Sequence, residues 1–303
     1  MPALITHNRF AAAVQQQAKR TSYLSSCIQA APMAFQWGAQ GPDILFFHRP
    51  WSDNKVSQTG HRMHEERIYQ IFSAMTNVCI ETKSPIAAAY LMGFCCHYAL
   101  DKTVHPFVTY IANYRLDPLY PKYHQSTLHN LCEAEFERAV LTKEGTDSAV
   151  YRADRMLTAD AVSCETAASL FIPAVWEAYG TKLSAVSVSR SMHTMLQVQH
   201  LLHDKSGHRA QFLQHFSGIS LAETVNSLIR PLKPLAADCL NLSHQPWIDA
   251  AHPYRRCYTD LFQLMQQAQQ PALQLMDACY QSMRTGKPLP VQLFSLDYLG
   301  CPI

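Results

Sequence analysis

Apolar positions along this chain recur three and four residues apart, in blocks separated by Gly and Pro, and strand-like alternation is scarce. The spacing predicts helices over 7–19, 22–31, 61–81, 84–112, 125–142, 158–179, 186–204, 221–230 and 257–285. Trp37–Asn54 reads as a loop because it holds Gly38, Gly41, Pro42 and Pro50. Residues 113–124, with Pro118 and Pro121, read as a Pro-broken connection. Residues 203–220 are polar and expected to be loosely ordered, and the apolar, aperiodic tail from Pro288 is expected to pack extended against helices. There is no internal repeat and no low-complexity segment. The expected architecture is all-α, a multi-helix bundle in one domain over 1–303.

Two of the predicted helices carry polar residues at helical spacing. His97, Asp101 and His105 fall four apart on 84–112, and His129 and Glu133 four apart on 125–142. Residues four apart lie one turn above each other on the same helix face. Each imidazole–carboxylate pair can therefore grip one ion, as facing helices do in zinc and di-metal bundles. Three polar residues on a solvent face would be the alternative for the first stripe. Its surroundings of Ala, Leu, Met, Phe and Cys argue against that, since a buried carboxylate needs a partner. Taken alone, the second pair fits an exposed amphipathic helix; following the first stripe, it reads as the facing half of a multinuclear site. His200, Asp204 and His208 copy the spacing, but Lys205, Ser206 and Gly207 interrupt it, so a solvated helix end is expected there. His7, Asp43, His61 and His64 are weak signals one by one, and Glu65 and Glu66 read as solvated. Trp37, Trp51, Trp176 and Trp247 read as packing residues.

Composition narrows the setting. The chain has 303 residues, 48% of them hydrophobic, which supports a sizeable core. A formal net charge of +2 without a Lys/Arg run does not advertise a stable nucleic-acid partner. The ten cysteines form no CxxC pair and lie mostly in apolar stretches, so they read as reduced thiols. No signal peptide is visible, and the most apolar run, 86–100, is too short to span a bilayer and contains His97. A cytoplasmic location is expected.

Taken in order, His7, Asp43, His64, His97-x3-Asp101, His105 and His129-x3-Glu133 resemble the zinc-dependent phospholipase C superfamily, which also holds fungal single-strand nucleases. The closer likeness is to its intracellular bacterial branch. It rests on Met1-Pro2-Ala3-x-x-Thr6-His7, Gly41-Pro42-Asp43-Ile44-Leu45-Phe46-Phe47, Met63-His64-Glu65, Gly93 to Asp101, and His105-Pro106. A looser likeness reaches Leu240-Asn241-Leu242 and Pro246-Trp247.

The resemblance implies a helical bundle with its metal-site half over about 1–142 and supporting helices and tail over about 143–303. It implies two to three zinc ions. Asp43, His64, His97 and Asp101 would hold the first, and His105, His129 and Glu133 the second. His7, a bridging Asp101 and the N-terminal amine and carbonyl would hold the third, the amine being that of Pro2 once Met1 is removed. His61 competes with His64, which is preferred for its Met-His-Glu context. Two departures stand out. Asp101 and His105 are closer than in the secreted enzymes, and Ile44 stands where the choline-type lipase has an aromatic.

The implied activity is hydrolysis of a phospholipid phosphodiester by metal-activated hydroxide, with Asp43, expected in a flexible loop, as ligand and general base. A transient membrane-surface contact goes with such a substrate. The rivals are a nuclease or small-molecule phosphodiesterase, and a non-catalytic, zinc-stabilised helical binding protein.

Overall fold

A computed structural model describes residues 3–216 and 218–303. The helices are α1 (Leu4–Ala18), α2 (Ser22–Ala30), α3 (Pro32–Gly38), α4 (Lys55–Glu65), α5 (Ile68–Thr82), α6 (Pro85–Ile111), α7 (Gln125–Lys143), α8 (Ala161–Tyr179), α9 (Ala185–Leu202), α10 (His208–Gln214), α11 (Ser220–Ser227) and α12 (Leu261–Thr285). Short helical turns occupy Gly41–Phe47, Ala112–Leu116, Ala153–Arg155 and Val291–Phe294. Strands β1 (Trp247–Ile248) and β2 (Arg256–Cys257) pair antiparallel, with Trp247 opposite Cys257. The fold is all-α, as the periodicity predicts.

The chain forms two compact units. The larger comprises His7–Lys102, Leu157–Leu196 and Gln267–Ile303. Its core is aromatic: Phe72 of α5 and Phe94 of α6 meet edge-to-face at 5.2 Å, and Phe94 meets Phe171 of α8 at 6.1 Å. α6 is apolar on all sides over Ala89–Cys96 and correspondingly buried. Two glycines set how close α3 comes to it. A Cβ on Gly38 would run into the Tyr90 carbonyl, and one on Gly93 into the Phe35 carbonyl. That close approach carries the following turn, Gly41–Phe47, up to α6.

The smaller unit comprises the start of the chain through Thr6, Thr103–Met156 and Gln197–Gln266. Phe107 packs on Phe136 of α7 at 6.0 Å and on Trp247 at 5.2 Å. Fully buried Asn241 ties its irregular segment together. Its amide donates to the carbonyls of Gln245, Tyr258 and Thr259, and its Oδ1 accepts from Arg115 at 2.9 Å. The sequence features around Leu240–Leu242 and Pro246–Trp247 thus act as a structural knot.

Several expectations need correction. The helix expected over 61–81 is two. α4 starts earlier, at an Asn54–Ser57 capping box, and ends before Arg67, whose φ of 60° is left-handed. The break is held in place: the Tyr179 hydroxyl donates to the Glu66 carbonyl at 2.9 Å, and Arg62 stacks on the Tyr179 ring while pairing with Glu66. Trp37–Asn54 is not a flexible loop, because α3 runs to Gly38 and Gly41–Phe47 is a buried 3-10 turn. Residues 203–220 contain α10, started by Gly207 at φ 77°. Along α7, Leu128, Cys132, Glu133, Phe136 and Val140 are all buried, so of the two readings weighed for this helix the exposed one falls. The tail does pack irregularly, through a turn and an isolated bridge between Leu296 and Pro302.

Candidate metal centres

In the larger unit, five titratable side chains from four segments converge: His7 from α1, Asp43 from the 3-10 turn, His64 from α4, and His97 and Asp101 from α6. All are buried. Asp101 is the hub. Its Oδ1 lies 3.3 Å from His7 Nε2, and its Oδ2 lies 3.2 Å from His97 Nε2 and 3.9 Å from His64 Nε2. Asp43 Oδ1 lies 3.1 Å from His64 Nε2. The rings of His7 and His97 stack at 4.1 Å.

The far side of two imidazoles is fixed by backbone. His97 Nδ1 donates to the Ala39 carbonyl at 3.1 Å, and His64 Nδ1 to the Gly60 carbonyl at 2.8 Å. A carbonyl can only accept, so each Nδ1 carries the proton and each Nε2 is turned toward the carboxylates. Gly41, at φ 53°, lies flat against the His97 imidazole, where any Cβ would collide with the ring. Outer partners that set tautomer and orientation in this way are characteristic of metal-ligating histidines.

The residues fit a divalent cation. With neutral imidazoles, two buried carboxylates would leave two uncompensated negative charges. Among the described residues, buried His97 Nε2 finds no hydrogen-bond partner, although the Asp101 carboxylate is beside it. Without a cation, protons must supply the positive charge, and the titration behaviour reflects this. Burial pushes Asp43 up, but the His64 hydrogen bond and the charges of His97 and His64 outweigh it and hold the carboxyl below its ordinary value. Burial pushes His97 down, but the negative charge of the adjacent Asp101 outweighs it and raises the imidazole above its ordinary range. Three imidazoles and two carboxylates are a nitrogen–oxygen donor set suited to zinc.

The smaller unit holds a second cluster: His105 near the end of α6, and His129 and Glu133 one turn apart on α7. Glu133 Oε1 lies 3.1 Å from His129 Nε2 and 3.6 Å from His105 Nε2. Glu133 is buried; both imidazoles are partly exposed. Burial opposes its charge, yet its carboxyl is held well below the ordinary range, with the His129 charge and hydrogen bonds from both imidazoles contributing. Glu135 pairs with Arg138 through two short bonds, so it is engaged elsewhere. One turn past Glu133, buried Glu137 accepts from the Ile5 amide at 2.9 Å. Burial pushes its carboxyl up to about 7.

The structure thus gathers His7, Asp43, His64, His97 and Asp101 in one cluster, and His105, His129 and Glu133 in another. Pro2 lies outside the described residues. His64 is buried against Asp43, whereas His61 is exposed and rests on the Phe46 ring. His200, Asp204 and His208 form no cluster among the described residues. His200 pairs with Asp154, and Asp204 is not solvated but buried, accepting from the Ala210 amide. Trp37 and Trp247 are buried and hydrogen-bond to carbonyls, while Trp51 and Trp176 are exposed. Ile44 is fully buried, so it forms no surface for a headgroup.

Sequence reasoning missed Tyr298. This buried residue of the aperiodic tail lays its ring 4.7 Å from His64 and 5.7 Å from His97, and its amide donates to the His64 carbonyl at 2.9 Å. Asp297 Oδ1, accepting from the amides of Leu299 and Cys301, shapes the turn that presents it. No periodicity or motif signals such a contact.

Fold and sites together define an all-α protein with, among the described residues, two imidazole–carboxylate clusters that could hold metal. The family model for zinc dependent phospholipase C matches residues 5–179, more than half of the chain and all eight cluster residues, and the chain belongs to that family. No curated protein and no solved structure matches it. Among the described residues, no helix is long and apolar enough to cross a membrane.

Proposed function

We propose that this protein hydrolyses phosphodiesters with zinc held at the two clusters, phospholipid being the first substrate class. The observation that carries the reading is the convergence of His7, Asp43, His64, His97 and Asp101 around one buried point, in a chain of this family. These five would hold zinc in the larger unit, and His105, His129 and Glu133 in the smaller. Asp101 offers one oxygen to His7 and the other to His64 and His97, a geometry suited to a bridging carboxylate. When bound, zinc supplies Lewis acidity toward a phosphoryl oxygen and acidifies water at neutral pH.

The chain's own residues do the rest. The Ala39 and Gly60 carbonyls aim His97 and His64. The ring of Tyr298 stands against both imidazoles and that of Phe46 against His64, which keeps bulk water from them. His64 engages Asp43 Oδ1, leaving Oδ2 as the oxygen that can take a proton from the attacking water. Carboxylates alone would repel a phosphodiester, so substrate binding requires the cation charge.

The test is metal analysis of the purified protein, paired with a panel of phosphatidylcholine, phosphatidylinositol and single-stranded DNA. About two to three zinc ions per chain and release of a phosphorylated headgroup are expected. Asp43→Asn should keep much of the zinc while turnover falls about a hundredfold or more. Cleavage of DNA alone would make the protein a nuclease. Full zinc content without turnover on any diester would make the metal structural.

A further inference from the structure

The smaller unit carries an apolar surface that neither cluster uses. Leu201, Phe212, Phe216, Ile219 and Leu221 are all bulky and exposed, at 61, 64, 43, 54 and 59%. Exposed apolar residues scattered singly are ordinary, but five within twenty-one positions are not. Local bonds hold them together. The rings of Phe212 and Phe216 meet at 5.2 Å, the Ile219 amide donates to the Phe216 carbonyl at 3.0 Å, and Arg209 donates to the Leu201 carbonyl. α10 packs on α11, so the side chains belong to one layer.

Between Leu201 and Leu221 the exposed charged side chains have one sign. Lys205 and Arg209 are exposed, as are His208 and His215. The only carboxylate between Leu201 and Leu221 is Asp204, which is buried and accepts the Ala210 amide at 2.9 Å. The next, Glu223, is folded back onto the Gly218 amide at 2.8 Å. Large apolar side chains on short surface helices, flanked by cations and free of exposed acid, complement an anionic bilayer: rings enter the acyl boundary while cations meet headgroup phosphates.

We infer that α10 and α11, with Phe216 and Ile219 between them, dock the protein on an anionic lipid surface. The inference rests on the lipid reading above only for the choice of a bilayer. It is tested by co-sedimentation with phosphatidylcholine vesicles, with and without phosphatidylglycerol. The native protein should partition onto the anionic vesicles, less so at high salt. Phe212→Ala/Phe216→Ala and Lys205→Glu/Arg209→Glu should each weaken partitioning about tenfold or more. Phe212→Trp should shift its emission to the blue on vesicle binding. None of these residues belongs to the candidate metal machinery, so zinc content and turnover of p-nitrophenyl phosphorylcholine should not change.

Absence of partitioning, or equal partitioning by the variants, overturns the inference. So does a concentration-dependent dimer that Phe212→Ala/Phe216→Ala abolishes, because the surface would then belong to a second copy. Vesicle binding without hydrolysis of any lipid leaves the docking surface standing and removes the lipid substrate. Turnover of the soluble diester without vesicle binding removes the surface and leaves the hydrolase.

Discussion

The two clusters differ in how they are held. In the larger unit, His97 is fully buried, its Nδ1 and that of His64 are pinned by backbone carbonyls, and Tyr298 closes over both rings. In the smaller unit, the His129 side chain is 27% exposed, and its hydrogen bond among the described residues is to Glu133 itself. The first cluster is shaped by the protein before any ion arrives. In the second, helix spacing sets the His129–Glu133 pair, and both imidazoles stay partly open to water. Preorganisation lowers the ordering cost of binding, so the closed cluster should hold its metal more tightly and the open one exchange it more readily.

The sharpest way to break this comparison is Asp101→Asn. That carboxylate faces three imidazoles, and an amide keeps its shape but not its charge. Turnover should fall by about a thousandfold or more, since a bound metal contributes several kcal/mol of charge stabilisation and ~1.4 kcal/mol is tenfold. Metal analysis should show loss from the closed cluster. Retention of full zinc and activity in this variant would remove Asp101 as the hub.

Glu133→Gln probes the open cluster in the same way. It should cost one equivalent of zinc while the closed cluster keeps its own. A graded chelator titration of the native protein should likewise strip the open cluster first, with the melting temperature falling by several degrees as the closed one empties. Simultaneous loss of all zinc would mean that the clusters do not differ as their burial implies.

Tyr298 tests whether preorganisation matters. Tyr298→Ala should weaken zinc binding at the closed cluster by about tenfold to a hundredfold, the usual effect of removing an outer partner. Tyr298→Phe keeps the ring and separates its contribution from that of the hydroxyl: native affinity assigns the effect to the ring, a loss assigns it to the hydroxyl. Equal affinities for the alanine variant and the native protein would reduce Tyr298 to a packing residue.

The smallest effect belongs to Glu137. Burial raises its carboxyl to about 7, above its unfolded value, so the folded state holds a proton that the unfolded state has released between those two values. Stability from this group is present below the unfolded pKa and lost as pH rises through about 7. Glu137→Gln, whose amide oxygen can still accept from Ile5, should remove that loss and gain of order 1–3 kcal/mol at pH 8 relative to pH 5. Denaturant unfolding at the two pH values reads it; an unchanged pH dependence would place the titration elsewhere.

The sequence by itself determined the helical class and the pairs His97–Asp101 and His129–Glu133. Both follow from local geometry: a helix puts residues four apart on one face wherever it lies. His7, Asp43 and His64 were legible as an ordered set resembling a family, not from any periodicity, since each sits on its own segment. The break at Arg67 was hidden because the apolar pattern runs on across it while a tertiary bond from Tyr179 holds it. The partners of Glu135 and Glu137, Arg138 and the Ile5 amide, had no signal in the chain, because only the fold brings the Ile5 amide to α7. Only the tertiary structure decided that Gly41 admits the His97 ring, that the Ala39 and Gly60 carbonyls fix the imidazoles, and that Tyr298 covers them. These contacts join segments more than two hundred residues apart in the case of Tyr298. Their cause is packing and chain direction in space, for which a sequence carries no repeating signal.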